Sequence, residues 1–137
     1  MKILFLCKGN VGRSVCGEYL YNTLTGTQDA HSAGTLLTGP EQSLVSLLPK
    51  TQFAINTMGE EGADVRGHIR RLVTQEMVNE ADIIIDMAQP ETVPDFVKAH
   101  PDRRVWVIDD PKDTSMETHI RVRDEIKEKI KETFDTN

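Results

Sequence analysis

Lys2-Ile3-Leu4-Phe5-Leu6-Cys7-Lys8-Gly9-Asn10-Val11-Gly12-Arg13-Ser14 takes the chain from a short apolar run straight into a polar, glycine-containing loop that ends at an arginine. The apolar run predicts a buried strand, and a helix is expected to begin near Arg13. A strand, loop and helix in this order aim successive backbone N–H groups and the positive end of the helix at one point, where an oxyanion is favoured. The same field favours the thiolate of Cys7, the form of cysteine that attacks. Gly9 and Gly12 let the backbone come close to a ligand. Arg13 supplies a planar fork of donors that matches two phosphate oxygens. Ser14 can donate its hydroxyl proton to the Cys7 sulfur, and the Asn10 amide can brace the loop from within. With Lys8 and Val11 completing the loop, residues 8–14 are the expected phosphate-binding segment and Cys7 the expected nucleophile.

Composition bounds this reading. The 137 residues are 38% hydrophobic, enough for one sheet with helices packed on it, and predict a single domain over residues 1–137. Lys2 precedes only four apolar residues before the loop, so no signal pattern is present, and no run approaches the length of a membrane span. A cytoplasmic protein without a membrane partner is expected. The formal net charge of −6 argues against nucleic acid as a general partner, so phosphate binding must be local to the loop. Two cysteines, Cys7 and Cys16, make no disulfide framework, and no Cys/His spacing resembles a zinc site. No metal and no cofactor are expected.

Beyond the loop, helix and strand signals alternate without repeats or long linkers, the pattern of a parallel sheet. Residues 18–24 carry apolar side chains at helical spacing, and a short strand is expected around residues 31–33. Gly39-Pro40 is expected to open a second helix with Leu44, Leu47 and Leu48 on its buried face and Pro49 interrupting it. Thr74 and Glu76 start a third helix, ahead of Ile83-Ile84-Ile85, a β-branched run of the kind buried on both faces. A helix over residues 91–99 and a fourth strand over residues 105–108 follow. Thr114 and Glu117 form a capping box for a terminal helix that places Ile126, Ile130 and Phe134 on one face. The whole predicts an α/β fold in three layers, a four-stranded parallel sheet flanked by helices with an N-terminal phosphate-binding loop.

In an open parallel sheet, ligands sit at the carboxyl ends of the strands. Cys7 follows the first strand and Asp109-Asp110-Pro111 follows the fourth, so a carboxyl group is expected near the nucleophile. Asp110, with Asp109 second, is the candidate to protonate a leaving oxygen and then to deprotonate an attacking water. Asp-Pro is also an ordinary turn after a strand.

Taken together these residues resemble a low-molecular-weight protein tyrosine phosphatase. The loop from Cys7 to Ser14 is similar to that family's N-terminal loop, Ser32-Ala33-Gly34-Thr35 to its segment after the second strand, and Asp110-Pro111 to its acid loop. Gly67-His68 and Ala81-Asp82-Ile83-Ile84-Ile85-Asp86-Met87 match as well. The resemblance implies a phosphocysteine intermediate without a metal, Cys7 as nucleophile, Arg13 as phosphate clamp and Asp110 as general acid. It also implies that Asn10, Ser14, Ser32 and His68 form a network supporting the loop. The implied substrate is a phosphotyrosine protein or a small phosphomonoester, the product inorganic phosphate, and the assembly a monomer or weak homodimer.

Departures from the family pattern bear on substrate more than on chemistry. Gly12 stands where many members carry a second cysteine. Lys112 and Asp113 follow Asp110-Pro111 where aromatic residues often flank a phenol ring, and Thr35-Leu36-Leu37-Thr38 also lacks an aromatic. Val11 stands where arginine phosphatases of this fold carry threonine. Arsenate reductases share the fold and the loop, but Met87 and Ala88 occupy the region where the thioredoxin-linked enzymes place a resolving cysteine. An arsenate reductase using a small external thiol, and a weakly catalytic phosphate-binding module, are the alternatives. Arg66, Arg70 and Arg71 are expected to be solvated at a helix start, with docking of an acidic partner or flanking of the active-site mouth as the alternatives.

Overall fold

The computed structural model describes residues 1–135. Strand β1 (Ile3–Cys7) is buried along its whole length because it lies inside the sheet, with a neighbour on each side. It pairs in parallel with β2 (Ala30–Gly34) and with β3 (Ile83–Asp86), and β3 pairs in parallel with β4 (Arg103–Val105), giving the order β2-β1-β3-β4. A strand covered on both faces has no polar side to present, which accounts for its unbroken apolar sequence.

Alternate side chains of the central strands feed two cores. Ile3, Phe5, Ile83 and Ile85 point to a layer built with α1 (Arg13–Thr25), α2 (Gln52–Gly59) and α5 (Met116–Phe134), represented by Leu20, Met58, Ile126 and Ile130. Leu4, Leu6 and Ile84 point the other way, towards Val78 of α3 (Gln75–Glu80) and Val97 of α4 (Asp95–Lys98). Each such side chain, fully buried, contributes about 1.5–3 kcal/mol. The α1 layer sits close to the sheet: a Cβ on Gly17 would lie 2.3 Å from the Phe5 ring. The chain fills β1 and β2, then crosses back to β3 and β4. The divergence lies between β1 and β3, and the loop after β1 opens there.

Five sequence expectations are corrected. No helix opens at Gly39-Pro40. Residues 42–45 instead bond to residues 66–70 through Leu44 N to His68 O, Val45 N to Arg66 O and Arg70 N to Gln42 O, leaving a 3-10 turn at Val45–Leu47 and a helix that starts only beyond Pro49. Leu44 is fully buried, whereas Leu48 is exposed. The expected helix over 91–99 is a 3-10 turn, Pro90–Thr92, followed by the short α4, because Pro94 lacks an N–H and restricts the residue before it. β4 comes earlier than residues 105–108. Its partner β3 ends at Asp86, so after Trp106 N donates to Asp86 O no ladder remains, although Trp106 and Ile108 still turn inward while Val107 is 87% exposed. The cap of α5 is Ser115, whose Oγ accepts from Thr118 N at 3.2 Å, while the Thr114 hydroxyl bonds back to Pro111 O. Arg66, Arg70 and Arg71 lie on a non-helical segment.

Candidate active site

The loop after β1 is held by the segment that follows β2. Thr35 N donates to Cys7 O and Leu36 N to Lys8 O. Gly34 makes this approach possible, since a Cβ there would lie 2.7 Å from Lys8 O and 3.2 Å from Asn10 N. Among the described residues, no acceptor takes the N–H groups of Lys8, Gly9, Asn10, Val11 or Gly12. These N–H groups and the first turn of α1 are therefore free to surround an oxyanion. Cys7 closes β1, only 3% exposed.

Asn10 organises the loop. It is fully buried, its φ is 53°, and its side chain makes four hydrogen bonds. Its Nδ2 donates to Ser14 Oγ at 2.8 Å and Ser32 Oγ at 3.0 Å. Its Oδ1 accepts from Arg71 N at 3.0 Å and meets His68 Nε2 at 3.1 Å. A backbone N–H can only donate, so the Arg71 contact fixes which amide atom is the oxygen. His68 Nε2 must then carry a proton, and Nδ1 accepts from Tyr19 OH at 3.4 Å. Burial, with Arg71 adding to it, lowers the His68 pKa to about 4, which keeps this neutral tautomer. Ser14, already accepting from Asn10, has its own proton for Cys7 Sγ, 3.0 Å away. Ser32 likewise donates to Glu18 Oε1 at 2.6 Å. Burial raises the Glu18 carboxyl above its ordinary range, against the Ser32 bond and Arg71. A cavity of about 400 Å³ behind this network is lined by Glu18, Tyr19, Ser32, His68 and Arg71 but not by Cys7.

Arg13 is buried at the start of α1. Its Nη1 donates to Met87 O at 2.5 Å and Ile108 O at 3.2 Å, tying it to the chain beyond β3 and β4. Its Nη2 donates to Gln89 Oε1 at 3.1 Å and lies 3.6 Å from Asp110 Oδ2. Asp109 turns away to Arg121, 3.4 Å distant, so of the two aspartates Asp110 is the one beside the clamp. Lys112 N donates to Asp110 Oδ1 at 3.0 Å, and Lys112 and Asp113 are exposed. Beneath them, buried Asp86 accepts from Arg103 Nε at 3.0 Å and Ala88 N at 2.9 Å, bracing the loop that carries Met87 and Gln89.

The structure thus brings Cys7, Ser14, Asn10, Ser32 and His68 into one hydrogen-bonded chain and sets Arg13 against Asp110. Sequence reasoning missed Glu18, Tyr19, the backbone of Arg71 and Gln89. Nothing in the spacing of these four marks them, because loops distant in sequence bring them together. Cys16 lies on α1, 7% exposed, its thiol pushed up to about 12 by burial and the neighbouring Cys7. Among the described residues, no three His, Cys, Asp or Glu side chains converge as a metal site.

The family model described as low molecular weight phosphotyrosine protein phosphatase matches residues 2–136. Arsenate reductase 2 of Staphylococcus saprophyticus is 30% identical over 140 residues, covering 97% of this chain and 95% of that protein. An arsenate reductase of Bacillus cereus is 30% identical over 141 residues, with 98% and 94% covered. Among solved structures, Vibrio vulnificus Wzb in complex with benzylphosphonate aligns with a TM-score of 0.79 at 24% identity, covering 99% of this chain and 98% of that one. The YwlE arginine phosphatase of Geobacillus stearothermophilus aligns with a TM-score of 0.80 at 23% identity, covering 98% and 93%. At these identities the structural likeness speaks to fold alone.

Proposed function

This chain belongs to the low molecular weight phosphotyrosine protein phosphatase family, and from that premise we propose that it hydrolyses phosphomonoesters, including phosphotyrosine, through a phosphocysteine intermediate. The Cys7 thiolate, stabilised by the Ser14 hydroxyl and the loop N–H groups, attacks phosphorus in line with the ester oxygen. Arg13 and the loop N–H groups hold the three equatorial oxygens as charge builds on them. As the P–O bond breaks, Asp110 gives its proton to the leaving oxygen, and phosphorus remains on Cys7. Water then attacks the phosphocysteine, Asp110 takes back a proton, the S–P bond breaks to regenerate the thiolate, and inorganic phosphate leaves.

The observation that supports this reading is the 3.6 Å separation between Asp110 Oδ2 and Arg13 Nη2. Hydrolysis needs that acid and no second thiol. Arsenate reduction is the second reading, favoured by the names of the curated relatives. It needs a thiol to take up the oxidised sulfur of Cys7, and Cys16, the only other cysteine, is buried and held as a thiol. An external thiol would have to serve. Parallel assays of para-nitrophenyl phosphate hydrolysis and of arsenate reduction with reduced glutathione test the choice. Phosphate release without arsenate reduction is expected, and arsenate reduction without hydrolysis would reverse the assignment.

A further inference from the structure

One nitrogen of Arg13 is fully committed before any ligand arrives. Both hydrogens of Nη1 go to main-chain carbonyls, Met87 O and Ile108 O. Nε–H has no acceptor among the described residues, and Nη2 meets only Gln89 and Asp110. The Nε–Nη2 edge is therefore the one available to two phosphate oxygens. Gln89 touches both charged groups. Because Nη2 only donates, the amide atom facing it is Oε1, and that turns Gln89 Nε2 towards Asp110 Oδ2, a longer contact of 3.4 Å. The backbone of Gln89 is itself pinned: Thr92 N and Oγ1 both donate to Gln89 O, at 2.9 and 2.7 Å. Thr92 Oγ1 in turn accepts from Thr35 Oγ1 at 2.7 Å, which links the loops after β3 and β2.

We propose that Gln89 is a positioning residue that holds Arg13 and Asp110 as one unit and keeps the Nε–Nη2 edge turned to phosphate; the inference rests on the phosphatase reading of the same site. An amide suits the position because it accepts from a cation and donates to a carboxylate without adding charge. A carboxylate there would repel both Asp110 and an incoming phosphate dianion. When phosphate takes one Nη2 hydrogen, Gln89 keeps the other, so Arg13 gives up only its contact with Asp110, whose carboxyl is then released to face the leaving oxygen.

The test compares Gln89→Met and Gln89→Glu with the parent chain. Hydrolysis of para-nitrophenyl phosphate is followed from acidic to neutral pH, and affinity for inorganic phosphate is measured by calorimetry. Gln89→Met is expected to lose about tenfold in kcat/KM and to bind phosphate more weakly, the size of one charged hydrogen bond. Gln89→Glu is expected to lose more at neutral pH and to recover as the pH falls through the ordinary carboxyl range of about 4 to 5, where its protonated form both accepts and donates like the amide. A purely structural role would give no such recovery. Parent-like phosphate affinity in Gln89→Met, or a constant ratio of Gln89→Glu to parent across pH, overturns the proposal. Phosphate affinity is read without turnover: a parent chain that hydrolyses nothing contradicts the phosphatase reading, while the Gln89→Met affinity still decides the role of Gln89.

Discussion

His68 Nε2 donates to Asn10 Oδ1 at 3.1 Å, and the polarity of that bond is dictated by the backbone N–H of Arg71, which donates to the same oxygen. The consequence runs to the nucleophile. With its oxygen fully engaged, the Asn10 amide spends both N–H groups on Ser14 and Ser32, and Ser14 is left with its proton for Cys7.

Asn10→Ala removes four hydrogen bonds, leaving His68 Nε2 and Arg71 N without an acceptor and taking one donor from each of Ser14 and Ser32. Unfolding in urea is expected to show a loss of about 2–4 kcal/mol. Ser14→Ala removes the donor to sulfur and the acceptor of one Asn10 Nδ2 hydrogen. Loss of the bond to sulfur is expected to lower kcat by about tenfold to a hundredfold, as losing about 1.5–3 kcal/mol of charged hydrogen bond would.

Stability depends on pH through His68. The unfolded imidazole takes up a proton near its ordinary 6.5, whereas the folded one resists until about 4. Between these values the unfolded state binds more protons, so stability rises with pH there. The contribution is complete above 6.5 and is lost as the pH falls towards 4. Glu18, with its carboxyl raised, acts with the opposite sign, and the lowered His119 with the same sign as His68. His68→Gln keeps a donor for Asn10 and leaves both other groups in place. The difference in melting temperature between parent and His68→Gln is expected to shrink on acidification through this window, and a difference independent of pH would contradict it.

Two glycines separate stability from activity. Gly17→Ala drives a Cβ into the Phe5 ring and is expected to cost about 1–3 kcal/mol in thermal unfolding. Gly34→Ala presses instead on Lys8 O and Asn10 N, which are backbone atoms of the phosphate loop. Its larger effect is expected in kcat/KM.

Oxidation by peroxide is expected to be irreversible. Gly12 offers no sulfur beside Cys7, and Cys16 is buried with its thiol held protonated. Activity assayed after peroxide and then dithiothreitol should stay lost, and full recovery would contradict this.

The sheet was legible because its central strands are buried on both faces and write that burial as unbroken apolar runs, Ile3 to Leu6 and Ile83 to Ile85. Local rules failed where pairing between distant segments decided the outcome. Gly39-Pro40 looks like a helix start, yet residues 42–45 found partners in residues 66–70. Val105 to Ile108 has strand-like residues, yet β3 ends before it could pair them. Within the site, Cys7, Asn10, Arg13 and Ser14 lie on one short stretch of chain and announce themselves by spacing. Ser32 and His68 entered through family resemblance alone. Glu18 and Gln89 have ordinary sequence surroundings, and only the folded chain sets one against Ser32 and the other between Arg13 and Asp110.

The central claim is that phosphate passes through Cys7. Acid quenching of the chain during turnover of para-nitrophenyl phosphate, followed by mass analysis of its peptides, tests this directly, with Asp110→Asn and Cys7→Ser alongside. One phosphoryl group on the Cys7 peptide is expected, with kcat about a hundredfold or more lower in Asp110→Asn and no hydrolysis in Cys7→Ser. Hydrolysis that persists in Cys7→Ser, or turnover with no phosphoryl group on the Cys7 peptide, would contradict the account.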